Sequence, residues 1–124
     1  MSDRLLLILA SLGLIPIALS YGVVPTKSLP FLLDLPVEGQ SQIHVFRAVM
    51  GLYLANVVFW LAGSTKPSLT VPALWSLLIF MAGLASGRVV SLIFDGIPGP
   101  VLIFYFCAEV LFAVLAFINL SKHR

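Results

Sequence analysis

Long apolar runs separated by short polar segments set the pattern of this chain. Four such runs, 5–20, 45–63, 71–94 and 101–120, take up most of its 124 residues. A helix that crosses a bilayer needs about 20 apolar residues, within a range of about 17–25. The first run is therefore short and the other three are comfortable. Pro16 falls inside the first run, where it would kink a helix in a way that neighbouring helices of a bundle tolerate. The segments 64–68 and 95–100 carry the proline, glycine and aspartate punctuation of a helix stop followed by a helix start. Such short turns make sequential helices antiparallel neighbours. The expectation is an all-α, four-helix transmembrane bundle of up-down topology, forming one integral membrane domain over 1–124.

The connection 21–41 breaks this economy, because about 20 unstructured residues are more than a compact fold usually spends on one link. It holds Pro25, Pro30 and Pro36 and an apolar patch, 29–35, interrupted by Asp34. Two readings stay open: a segment lying in the membrane interface or folding over the bundle as a lid, and a proline-stiffened spacer. Arg4, Lys66, Lys122 and Arg124 flank the runs on one side, whereas Lys27 alone lies in the opposite loops. The bias of basic residues toward the cytoplasm then places both termini there. The first run follows Arg4 and ends near Ala18-Leu19-Ser20, which resembles a signal peptide. The minimal charged leader and the membrane-embedded remainder argue for an uncleaved anchor.

Composition agrees. Hydrophobic residues make up 60% and charged residues 10%, with a mean hydropathy of +1.12, far from soluble globular norms. In water so much apolar surface would aggregate, so the solvent is lipid. A net charge of +2 without a basic stripe leaves no footprint for nucleic acid. Cys107 is the only cysteine, which excludes an intrachain disulfide and thiolate zinc sites; placed mid-span, it reads as an inert thiol. No HExxH motif and no pair of histidines on one face are present, so neither a metal nor a cofactor is expected.

Against this background Arg47, Arg88 and Glu109 stand out, each inside an apolar run. Insertion scales put such groups at about 2.5–3.5 kcal/mol each, and three on separate helices are expected to meet. Helical spacing puts His44, Arg47, Gly51 and Ala55 on one face, Arg88, Ser91 and Asp95 on a second, and Tyr105, Glu109, Ala113 and Ala116 on a third. At ~1.5 Å per residue Glu109 lies about 14 Å into its run, and both arginines lie about one-third of the way in from the outer ends. The pattern predicts a polar funnel open to the non-cytoplasmic side, with Asp95, Asp34, Glu38 and His44 at its mouth. The other half is apolar apart from Asn56 and Ser76. The plain structural alternative is a buried network that fixes helix register. Two arginines facing fewer deep acids would instead leave positive potential for a carboxylate, a phosphate or a lipid headgroup. Gly83 and Gly87 form a GxxxG pattern, a weak sign of close helix packing.

The stretches Val37-Glu38-Gly39, His44, Phe46-Arg47-Ala48 and Met50-Gly51-Leu52-Tyr53, then the run Phe80 to Arg88, Asp95-Gly96-Ile97-Pro98, Tyr105 and Glu109 together resemble a bacterial family of small four-helix membrane proteins known only as a domain of unknown function. The resemblance implies a bacterial inner-membrane protein with four spans and carries no reaction with it. The overall shape is also similar to the DoxX-like group of small membrane proteins, at the level of fold alone.

The leading expectation is a non-enzymatic membrane protein whose charged outer pocket binds a small anionic or amphipathic ligand. Arg47 and Arg88 would contact the anion, Glu109 would be the deep counter-charge, and Asp95 would orient Arg88, with His44, Tyr105 and Glu38 completing the site. One alternative is an accessory subunit of a larger membrane complex, or a homo-oligomer, using the GxxxG face with Phe59, Trp60 and Trp75. The other is a small DoxX-like membrane enzyme with Glu109 and His44 as acid and base.

Overall fold

The computed structural model describes residues 1–123. Five helices follow in order: α1 (Asp3–Gly22), α2 (Pro25–Leu33), α3 (Gln40–Thr65), α4 (Pro67–Phe94) and α5 (Pro100–Ser121), with no strand among the described residues. All but α2 are long and apolar enough to cross a membrane. Their outward faces carry large apolar side chains, among them Leu12, Leu52, Val58, Ile79, Leu111 and Phe117. That inversion of the soluble pattern is what hydrocarbon solvent allows and water does not.

Local chemistry sets the helix ends. The Ser2 hydroxyl accepts from the Leu5 N–H at 3.1 Å and caps α1. Pro25, Pro67 and Pro100 stand in the first turns of α2, α4 and α5, where a missing N–H costs nothing. A single extended residue, Lys66, both ends α3 and starts α4. The chain can double back this tightly because Gly63 brings α3 against α4: a Cβ there would overlap the Ala73 side chain. The Thr70 hydroxyl then donates to the Gly63 carbonyl at 2.6 Å across the corner. Gly96, at φ +92°, reverses the chain after α4 in the left-handed conformation that glycine alone adopts freely.

α1 packs chiefly on α3, α3 on α4 and α4 on α5, whereas α1 and α5 touch sparingly. The densest packing lies toward the end of the bundle that holds Lys66 and both termini. Leu6 and Leu7 of α1, Trp60 of α3, Leu74 and Leu77 of α4 and Ala116 of α5 are buried there. The two polar side chains expected in this half meet: the Trp60 indole donates to Ser76 Oγ at 3.3 Å, and Ser76 Oγ donates to Asn56 Oδ1 at 3.2 Å. At the same end buried Asn119 donates to Asp3 Oδ1 at 2.8 Å, and His123 Nε2 lies 2.6 Å from Asp3 Oδ2. These contacts tie α5 to the start of α1.

The connection 21–41 is not a plain spacer. Pro25–Leu33 forms the short helix α2, which buries Leu29 against the bundle and leaves Phe31 exposed. Its seat is set by the Ser28 hydroxyl, which donates to the Ser20 carbonyl. Asp34, at φ 54°, closes α2 in the left-handed conformation. α2 contacts α1, α3 and α5 and so covers the end of the bundle opposite Lys66.

The glycines separate close contact from open face. Nothing lies within 4 Å of a Cβ built on Gly83 or Gly87, so the GxxxG pair packs against no other helix of this chain. Gly63→Val is therefore expected to lower stability by about 1–3 kcal/mol through overpacking. Gly83→Ala is expected to be neutral or to gain up to about 1 kcal/mol in helix propensity. Thermal unfolding of the detergent-solubilised variants by circular dichroism checks both, and equal losses at the two sites would contradict the packing described.

Candidate functional site

The antiparallel hairpin of α4 and α5 creates the one ion pair within the bundle among the described residues. Arg88 lies about 10 Å before the turn after α4, and Glu109 about 13 Å beyond the start of α5, at ~1.5 Å per residue. Helical side chains tilt toward their own N-terminus. Arg88 therefore leans deeper into the bundle and Glu109 leans back toward the turn, and they meet between. Arg88 Nε donates to Oε1 at 2.7 Å and Nη2 donates to Oε2 at 3.0 Å, a bidentate, charge-assisted pair. The side chains are 22% and 9% exposed.

All three tyrosines of the chain surround this pair, each from a different helix. Tyr105 stands one turn before Glu109 on α5, its ring centre 6.0 Å from the Arg88 guanidinium carbon, at the reach of a cation–π contact. Tyr21 of α1 and Tyr53 of α3 meet edge to face at 5.6 Å and border the same cleft as Arg88. From there aromatic contacts run into the packed half: Tyr53 on Phe80 at 5.2 Å, then Phe80 on Trp60 at 5.6 Å. Tyr21 also stacks on Phe46 at 6.1 Å. The sequence reading named Tyr105 but missed Tyr21 and Tyr53. The usable signal was that a buried tyrosine needs company for its hydroxyl, and three helices each carry one.

Arg88 lines three separate spaces. The first, about 170 Å³, lies at the turn end with Ser91, Asp95, Gly96 and Phe106. The second, also about 170 Å³, lies along the seam between α1 and α5, where Ala10, Gly13 and Ala108 leave room, and Tyr53, Tyr105 and Glu109 close its inner end. Its remaining walls are apolar, including Leu14, Ile17, Leu84 and Phe112. The third is a wide cleft between α3 and α4 bordered by Tyr21, Tyr53, Gly83 and Gly87. The guanidinium thus stands where a space at the turn after α4 and the apolar seam adjoin.

The expected cluster of three deep charges contracts to two. Arg47 is exposed and makes no ion pair among the described residues, as do His44 and Glu38. α3 begins at Gln40, five residues before the apolar run, so Arg47 sits only about two turns from the helix start. The whole face His44, Arg47, Gly51 and Ala55 points outward, and α3 buries Tyr53, Val57, Trp60 and Gly63 in its place. Larger apolar and aromatic groups win the inward position. On α5 the predicted stripe does face inward, with Tyr105, Glu109 and Ala116 buried. Asp95 does not pair with Arg88; it accepts from the Ser91 hydroxyl at 2.6 Å and remains exposed at the end of α4. Trp60, expected on a partner-facing surface, is fully buried in the core.

No curated protein and no solved structure matches this chain. Residues 2–120, which take in the five helices up to the last residue of α5 and include the Arg88–Glu109 pair, match the family described as a domain of unknown function, DUF4345. The chain belongs to that family.

Proposed function

We propose that this protein is a bacterial inner-membrane binding protein, with both termini cytoplasmic, whose site at Arg88 holds a small amphipathic ligand. Its head would meet the guanidinium among the three tyrosines, and its tail would lie in the seam between α1 and α5. The observation that carries this reading is that Arg88 spends only part of its donor set on Glu109 while lining both the space at the turn end, which Ser91 and Asp95 share, and the apolar seam. Guanidinium has five N–H donors, and two of them satisfy the carboxylate. A lock for helix register would need the pair alone, without adjoining room. The orientation rests on Arg4, Lys66, Lys122 and Arg124 flanking the spans at one end, against Lys27 alone in the opposite loops.

Two outcomes are expected. In detergent, decanol and decanoate should each raise the unfolding temperature, by about 2.7 kcal/mol of added stability at ~100 times Kd. Gly13→Leu should abolish the effect without unfolding the bundle, because open space at Gly13 belongs to the seam. If Gly13→Leu and the neutral pair variant Arg88→Gln with Glu109→Gln both fold and keep every ligand response, the site lies elsewhere. The second outcome concerns the pair itself. Glu109→Leu alone strands the guanidinium and should cost about 3–5 kcal/mol, whereas Arg88→Met with Glu109→Leu should recover most of that loss. A thermal-unfolding double-mutant cycle measures the difference, and an equal loss in single and double variants would show that the pair is energetically idle.

A further inference from the structure

A second surface lies apart from Arg88: we infer that the groove between the end of α1 and α2 holds one acyl chain of an anionic phospholipid, with the lipid phosphate on Lys27. No residue of this groove lines the three spaces beside Arg88. The inference therefore stands or falls independently of the reading just given.

Helix length sets the depth of the groove. α1 has 20 residues, about 30 Å at ~1.5 Å per residue, which matches the thickness of the hydrocarbon core. Its last turn therefore stands at the boundary between acyl chains and headgroups. α2 is seated on that turn, because the Ser28 hydroxyl donates to the Ser20 carbonyl while Pro25 and Leu29 are buried. A nine-residue helix fixed there is an interfacial helix.

The sides of α2 differ accordingly. Pro25 and Leu29 turn into the bundle, and Thr26 and Pro30 are exposed. Val24, Ser28, Phe31 and Leu32 form the groove, of about 530 Å³, with Leu19 and Val23 at the end of α1. Phe31 is 87% exposed, an arrangement that hydrocarbon sustains and water penalises. Leu12, Leu19 and Val23 follow one another at helical spacing and are all exposed. The groove thus continues the lipid-facing stripe of α1, and an acyl chain lying along that stripe runs into it.

Charge selects the head. Lys27 is the one charged residue of the groove, makes no ion pair among the described residues, and is the only basic residue in the connections at that end. Its alkyl stem can lie on the apolar wall while the ammonium meets a phosphate at the surface. A zwitterionic head brings its own cation, which offsets part of that attraction. A head of net charge −1 does not.

The test is native mass spectrometry of the whole chain, released from an uncharged detergent with added phosphatidylglycerol or phosphatidylcholine. Phosphatidylglycerol should be retained about fivefold more tightly, the contribution of one basic side chain at an anionic surface. Lys27→Gln should remove the preference, and Lys27→Glu should reverse it. Phe31→Ser with Leu32→Ser should weaken retention of both lipids. All these side chains are exposed, so the variants keep the fold. Gly13→Leu, which fills the seam beside Arg88, should change nothing. Equal retention of the two lipids by the wild type, or a preference that survives in Lys27→Gln, overturns the phosphate contact. Unchanged retention in the Phe31 and Leu32 variant, or loss in Gly13→Leu, overturns the groove. In nanodiscs, the added fluorescence of Phe31→Trp should be quenched by brominated acyl chains. Quenching by aqueous iodide alone would put α2 in water and overturn the proposal as a whole.

Discussion

A bidentate arginine–carboxylate pair inside a low-dielectric bundle constrains everything around it. Each partner alone would be expensive in hydrocarbon, and the pair is tolerable only while both bonds hold. That demand reaches back to the hairpin of α4 and α5. Their connecting turn must set the two helices so that Arg88 and Glu109 lie at matching depth, and each helix must turn the right face inward. A shift of one residue rotates a helix by about 100°, which would carry the charge out of reach. Gly96 in its left-handed conformation and Pro100 in the first turn of α5 therefore act at a distance on the site, by fixing helix register.

The bundle divides its work along its length. Toward Lys66 and the termini it is closely packed: Gly63 lets α3 touch α4, Trp60 fills the centre, and Asn119 ties α5 to α1. Toward the opposite end the spaces beside Arg88 open, and α2 packs on α1, α3 and α5. The aromatic contacts from Trp60 through Phe80 and Tyr53 to Tyr21 join the two halves. Rings of this size hold their neighbours in place through broad contact, so the tyrosines around Arg88 are positioned by the rigid half. Open space beside a polar group is stable only if something nearby is packed well enough to hold it open.

How much of this was legible in the sequence follows from which forces are local. The four spans were readable because hydropathy over about 20 residues is a local property, although helix ends were not: α3 starts five residues early at Gln40. Arg47 went astray for another reason: it stands on a face of α3 that the packing leaves outward, and spacing along one helix does not say which face turns in. The meeting of Arg88 and Glu109 was readable because the cost of a lone buried charge is independent of fold detail. The tyrosines were not, since Tyr21 falls in the connection after the first run and Tyr53 looks like an ordinary residue of a span until tertiary packing turns both inward. α2 was hidden by Pro25 and Pro30, which read as spacer residues. Pro25 occupies the first turn, where its lost N–H is harmless, and Leu29 supplies the buried contact that holds a nine-residue helix in place.

An arginine that is to receive a ligand inside a bundle poses a problem that soluble proteins can leave to water. Without a ligand, a largely buried guanidinium has little solvent to satisfy it and must be neutralised from within. Glu109 meets that need, and it does so on only one edge of the fork. The same carboxylate that makes the empty state tolerable then sets the terms on which anything else can arrive. An incoming anion must either displace Glu109, stranding a buried carboxylate, or join it, adding a charge that the tyrosines cannot cancel. A neutral acceptor faces neither obstacle. Any selection among ligands at Arg88 would therefore be carried less by the arginine than by the acid paired with it.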